Sequence, residues 1–354
     1  LFDVLRRAIE AVFVVEDLGR RVEILTDAAI RYQAQGVRQS ANVLIQQSIP
    51  AAGNISEPWT RAGGFAAVAE AYRAIEESER AERMIGDAIA AARGADEAPP
   101  EAAAVFLSRL ISLGRRLDAL DLAEGIERPE SRAAVLSTIA ERYDTEELRS
   151  SAFILYARAV SAAGTVPQAS GRASAYLRVA ESYLRFGETQ LAVIQGSNAV
   201  RSLVQVDPAR RDAGLMLRLA DLFIAADTPS ELASVVDLAA SPATEARIAA
   251  HIAVAAEDAY VSVAADNLER ATTARAAAGE GQNTASRDIV RAAARLGRFD
   301  EALAELAVMD NARRISAAVT ALGYEAMRAG GLSDAQRSAL EELYRVYRQR
   351  QRLG

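Results

Sequence analysis

The chain has 354 residues, 51% of them apolar and only 5% aromatic, and carries a formal net charge of −7. Its 41 basic residues are all arginine, it has no cysteine, and its one histidine is His251. This composition excludes disulfides, thiolate or multi-histidine zinc sites, and a general polyanion binder, which needs clustered surplus cation.

The length exceeds one ordinary domain, so the chain is either several globules or one elongated array. Long windows of Ala, Leu, Glu and Arg without apolar alternation point to helices and to no strands. Taken from the N-terminus, residues 1–19 hold "LRRAIEAVFVV" (5–15), whose Ala8 lies 33 residues before Ala41. This segment reads as the second helix of a preceding, partial repeat or as a capping helix. Residue 1 is Leu, so the chain reads as a processed or trimmed product, which favours an exported or periplasmic location over a cytoplasmic one.

Residues 20–345 read as a repeat array. Small residues recur at Ala41, Ala81, Ala119, Ala152, Ala192, Leu232, Ala264, Ala302 and Ala335, at spacings of 32 to 40 residues, within the range that marks stacked repeats. Nine residues before these references stand Tyr32, Tyr72, Leu110, Tyr143, Tyr183 and Phe223, then Ala255, Ala293 and Ala326. Twelve before stand mostly small residues such as Ala29, Ala69, Ala140, Ala180 and Ala220, and sixteen before stand mostly large ones such as Leu25, Phe65, Leu136, Tyr176 and Met216. Offsets differing by four and three place these columns on one face of a first helix, A. The reference residue and an alanine seven later, as at Ala88, Ala159, Ala199, Ala239 and Ala271, lie two turns apart on a second helix, B. Between them "GRRLDAL" (114–120), "GETQLAV" (187–193) and "GRFDEAL" (297–303) each open with a glycine that serves as a helix C-cap. The Gly- and Pro-bearing segments 53–59, 94–100 and 164–171 are connectors, and 346–354 is a polar tail that closes the stack.

The small–aromatic–Gly–Ala–Ala spacing resembles the tetratricopeptide (TPR) repeat, across residues 20–345 and most closely at 171–203 and 286–309. The resemblance implies an all-α, right-handed α-solenoid of about nine TPR-like helix-turn-helix repeats plus terminal capping helices, forming one array over 1–354. It also implies that residues eleven before the reference face a concave surface: Glu70, Glu141, Glu181 and Asp221, with Arg178 and Arg218 one turn earlier. As a functional feature this is a mixed acidic and arginine ladder for a protein or peptide partner. As a plain surface feature it is a set of intrahelical i,i+3 ion pairs, Arg178 with Glu181 and Arg218 with Asp221. The Lys and Asn columns by which TPR domains clamp a C-terminal carboxylate are absent, and Glu141 and Glu181 would repel one, so no such clamp is expected.

No phosphate loop of the GxxxxGK[ST] kind, HExxH or GxSxG occurs. The expectation is a non-catalytic scaffold or adaptor without cofactor or metal, binding neither nucleic acid nor membrane. One alternative is a bacterial cell-envelope accessory working with a solute-binding protein or transporter. A remote alternative is an all-helical enzyme using Glu141, Glu181 or Asp221 as an acid–base pair. His251 is expected to be a hydrogen-bonded structural residue in an inward column, where neighbouring repeats carry Val68, Ile139, Val179, Leu219 and Ile289. Trp59, just after Pro58, is expected to act as a hydrophobic staple at the start of a helix rather than as an exposed ligand anchor.

Overall fold

The computed structural model describes residues 12, 14–95, 97–143, 149–256, 260–278, 285–309 and 312–353, with the side chains of 312–314 and 347–353 excepted. Among the described residues the protein is all-helical, with 18 α-helices, two short 3-10 turns and no strand. It divides into two compact units, Leu1–Val166 and Pro167–Gly354. Most of the expected leading helix, 5–15, lies outside the described residues.

The first unit contains α1 (Leu18–Ala34), α2 (Arg38–Gly53), α3 (Pro58–Ala74), α4 (Ser78–Arg93), α5 (Pro100–Ser112), α6 (Arg116–Glu124), α7 (Pro129–Glu141) and α8 (Arg149–Gly164). The second contains α9 (Ala169–Arg185), α10 (Thr189–Val204), α11 (Ala213–Ala225), α12 (Leu232–Val236), α13 (Pro242–Ala255), α14 (Val261–Ala277), α15 (Ser286–Arg295), α16 (Phe299–Ala307), α17 (Ala312–Arg328) and α18 (Asp334–Leu353). Odd-numbered helices are the expected A helices and even-numbered ones the B helices. In the first unit each A helix packs on its own B helix, and α1, α3, α5 and α7 pack in succession. The second unit repeats this through α9, α11, α13 and α15, with α17 packed on α15, while the last helix, α18, packs on α16. The pattern is a repeat-like helical stack within each unit.

The turn between A and B explains the recurrent glycine. Gly36, Gly114, Gly187, Gly297 and Gly330 sit at φ of 75°, 73°, 83°, 72° and 90°, the left-handed region that a side chain disfavours. The amide of the following residue donates to the carbonyl of the residue nine before the reference: Val37 to Tyr32, Arg115 to Leu110, Glu188 to Tyr183, Arg298 to Ala293 and Gly331 to Ala326. This is the Schellman closure of a helix end, and it satisfies carbonyls that the helix leaves open. The same closure forms at Glu76 and Asp227, whose φ values are 64° and 58°, with Glu77 donating to Tyr72 and Thr228 to Phe223. The equivalent positions 147 and 259 lie outside the described residues.

Most of the aligned positions form the interior, while Phe65 and Tyr176 are only half-buried. Ala41, Ala81, Ala119, Ala152, Ala192, Leu232, Ala264 and Ala302 are all buried, as are Ala29, Ala69, Leu107, Ala140, Ala180, Ala220, Ile252 and Val290. Tyr32, Tyr72, Tyr143, Tyr183 and Phe223 are buried too, so small residues bring A and B close while aromatic rings fill the space beside them. Four departures have local reasons. Ala335 is exposed on the terminal helix α18. Ala239 is only half-buried because α12 has five residues and ends before reaching it. Ala255 is exposed and Ala256 buried, a one-residue offset along α13. Ser286, a polar residue in a mostly apolar column, is buried because its hydroxyl donates to Glu305 at 2.5 Å. Burial pushes the Glu305 carboxyl above the usual carboxylate range, against the opposing pull of Ser286 and of Arg275, whose guanidinium lies 2.9 Å away.

A further column concerns the turns from B to the next A. Arg21, Arg61 and Arg132, in the first turn of α1, α3 and α7, donate to the carbonyls of Val15, Ile55 and Ile126, six residues upstream in each case. Ile55 and Ile126 are buried, so those two connectors are fixed by an apolar plug and a guanidinium. The same turns place Pro58, Pro100, Pro129 and Pro242 at the first helical position, where the missing amide costs no hydrogen bond.

Candidate functional site

The expected site residues lie on the outward side of the A helices. Arg178, Arg218 and Asp221 are exposed, while Glu70, Glu141 and Glu181 are half-buried. The bridges they make differ from the expected intrahelical pairs. In the second unit Arg218 of α11 grips Glu181 of α9 with two bonds, Nε to Oε1 at 3.0 Å and Nη2 to Oε2 at 2.6 Å. Asp221 of α11 accepts from His251 of α13, Nε2 to Oδ1 at 2.7 Å. Both cations reach back to the preceding A helix instead of along their own, because successive A helices pack side by side and offset the columns by about one turn. Arg178, at the place equivalent to Arg218, makes no ion pair with a described residue of its own unit.

His251 corrects a second expectation. Its side chain is 32% exposed, whereas Val68, Ile139, Val179, Leu219 and Ile289 are buried. The one-residue offset of α13 moves His251 out of the inward column and into the column of Arg178 and Arg218. It is hydrogen-bonded, as expected, but on the polar face. Asp221 holds its imidazole above the ordinary histidine range by hydrogen bond and charge, against desolvation, with Asp288 adding to the rise and Arg247 opposing it.

That shift gives a test. A histidine whose folded pKa exceeds its unfolded value of about 6.5 contributes stability that is fully present below that value and is lost as pH rises through the folded pKa. Asp221→Asn is therefore expected to destabilise the second unit by about 0.5–1 kcal/mol at pH 5.5, after discounting for solvent screening, and by far less at pH 8.5. Urea midpoints of the two proteins at both pH values measure this; a pH-independent gap would show that His251 is not charged through Asp221.

In the first unit the polar face is built around Arg109 of α5. It donates to both oxygens of Glu23 on α1, at 2.8 and 2.7 Å, and approaches Glu70 of α3 at 3.9 Å. Ser112 donates to Glu70 at 2.8 Å. Burial raises the Glu70 carboxyl above its ordinary range despite Ser112 and Arg109. Beside this network a hollow of about 340 Å³ opens among α1, α3 and α5, lined by residues including Arg20, Glu23, Trp59, Gly63, Glu101 and Val105. A Cβ built on Gly63 meets no side chain closer than 4.0 Å, so the glycine there leaves the hollow open.

Trp59 is 4% exposed and packs edge-on against Phe106, with ring centroids 6.0 Å apart at 66°. It is a packing residue at the start of α3 and forms the wall of the hollow with little surface of its own. Sequence reasoning missed Glu23, Arg109 and Ser112; they do not share one column, and only the lateral packing of A helices brings them together. His251 was legible only to a reading that let α13 slip by one residue.

Among the described residues no cluster of three or more His, Asp or Glu is arranged to hold a metal ion, and no helix is long and apolar enough to cross a membrane. No protein-family model matches the chain, and no curated protein does. Among solved structures, the crystal structure of Ton1535 from Thermococcus onnurineus NA1 aligns over 96% of this chain and 94% of its own, at 17% identity and a TM-score of 0.31. A likeness that low carries no argument about fold or function.

Proposed function

We propose that the protein is a non-catalytic scaffold whose hairpins are TPR-like repeats, stacked as a right-handed solenoid in each unit, and that it binds a protein or peptide partner through its A-helix faces. The observation that carries this reading is the ladder of charged groups shared between neighbouring A helices: Glu181 with Arg218, and Asp221 with His251. Each pair leaves part of both partners in solvent, with side-chain exposures of 26% and 46% in the first and 55% and 32% in the second. Exposed pairs of this kind contribute only about 0.2–1 kcal/mol to folding. Their value lies in a fixed row of donors and acceptors, offered at regular intervals to an extended chain.

Photo-crosslinking tests the reading. A photoreactive residue in place of Arg178, on the A face of α9, is expected to trap a partner in an extract of the source organism. The same residue in place of Arg201, exposed on α10, is expected to trap none. Adducts from Arg201 alone would move the binding face to the B helices and refute the proposal.

A further inference from the structure

The B-helix side of the first unit carries a different kind of surface. Between α6 and α8 lies a groove of about 310 Å³ with Tyr143 at its margin. Leu117, Leu120, Ile154 and Leu155 line it, and Leu117 and Ile154 are 79% and 56% exposed. Two residues before the reference, where Leu117 stands, the other hairpins carry Gln39, Glu79, Ser150, Gln190, Ser230, Ser262, Asp300 and Ser333. Leucine is therefore the apolar exception in a polar column, and at its exposure it adds little to the core.

Among the described residues, the charged groups that line this groove are of one sign: Arg116 and Arg158 line it together with the Tyr143 phenol, and no described carboxylate does. Arg116 lies over the Tyr143 ring at 5.8 Å and makes no ion pair with a described residue. Arg158 is paired with Glu124. A protein with a net charge of −7 thus holds, at the edge of an apolar groove, a guanidinium that no described carboxylate pairs with. Small-ligand sites begin at about 300 Å³ and combine an apolar lining with a few placed polar groups.

We propose that this groove binds an apolar carboxylate, an aliphatic or aryl acid whose hydrocarbon lies against Leu117, Leu120 and Ile154 and whose head group meets Arg116. Arginine suits that head group because its planar fork matches a carboxylate. The site is separate from the A-helix faces, so it stands or falls independently of the partner-binding reading.

Octanoate, octylammonium and octanol are the probes, titrated into the full chain and followed by saturation-transfer NMR and calorimetry. Octanoate is expected to bind saturably, octanol more weakly and octylammonium not at all. Lengthening hexanoate to octanoate is expected to tighten binding by up to about fourfold for each added CH₂. Arg116→Gln is expected to weaken octanoate binding about two- to fivefold, the worth of one exposed charged contact, and Leu117→Gln to weaken it comparably. Both side chains are exposed, so the variants should keep the wild-type circular dichroism and urea midpoint. Absence of saturable octanoate binding, an equal response to octylammonium, or full retention of binding in Leu117→Gln would each overturn the proposal.

Discussion

Replacing Phe223 with alanine is expected to destabilise the second unit by about 3–5 kcal/mol, the range for removing a buried phenylalanine side chain. Phe223 has no exposed surface and occupies the aromatic column of α11. Its carbonyl also closes the turn, accepting from the amide of Thr228 at 2.9 Å. Loss of the ring leaves a cavity between α10 and α11 that the rigid helices cannot fill. Because each hairpin in such a stack contacts chiefly its neighbours, the damage should be local. Hydrogen exchange should accelerate most in α10 and α11, and the urea midpoint should fall. A change under about 1 kcal/mol would mean that the ring is not part of the interior.

Gly196→Leu is expected to cost about 3 kcal/mol or more, at or beyond the upper end of ordinary overpacking. A Cβ at Gly196 would stand 2.7 Å from Leu222 Cδ2 and 3.0 Å from Phe223 Cε1 and Cζ. The glycine lies inside α10, where alanine would otherwise be preferred by about 1 kcal/mol, so close approach of α11 is what requires it. Equivalent places elsewhere show the opposite division of volume. Where Ala293 and Ala326 stand in the aromatic column, the preceding hairpins carry Leu268 and Leu306 in place of Gly196, and all four are buried. In these two pairs the large residue lies in the earlier hairpin and the small one in the next, whereas Ile45 with Tyr72 and Ile85 with Leu110 are large on both sides.

Much of this interior was legible because it depends on spacing within one helix. Offsets of three, four and seven residues identify the buried faces of A and B. The glycine of "GRFDEAL" marks the helix end because φ of 72° at Gly297 strongly favours that residue type. The sequence conceals what depends on the relation between helices. Glu76 and Asp227 take the same left-handed conformation without being glycine, because the closing bond from the next amide and the burial of Ile75 and Ala226 just before them hold them there. Glu181 and Asp221 turn to cations on the adjacent helix instead of their own, a choice set by lateral offset, which single-helix periodicity does not contain. The arginines at 21, 61 and 132 reach carbonyls in the connectors; nothing in their local spacing signals a backbone acceptor, and a lysine, lacking the planar fork, would hold it less firmly.

Within each unit corresponding residues of successive hairpins meet in a shared interior, and the cycle of Gly196→Leu, Phe223→Ala and their combination tests this most directly in the second unit. Urea denaturation of the four proteins, followed by circular dichroism, gives the coupling. The account predicts that the double variant is more stable than the sum of the single losses implies by at least about 1 kcal/mol, because leucine at 196 enters the space vacated by the ring, as in the Leu268 and Ala293 arrangement. Strictly additive losses would contradict it, showing that the two positions do not share a contact.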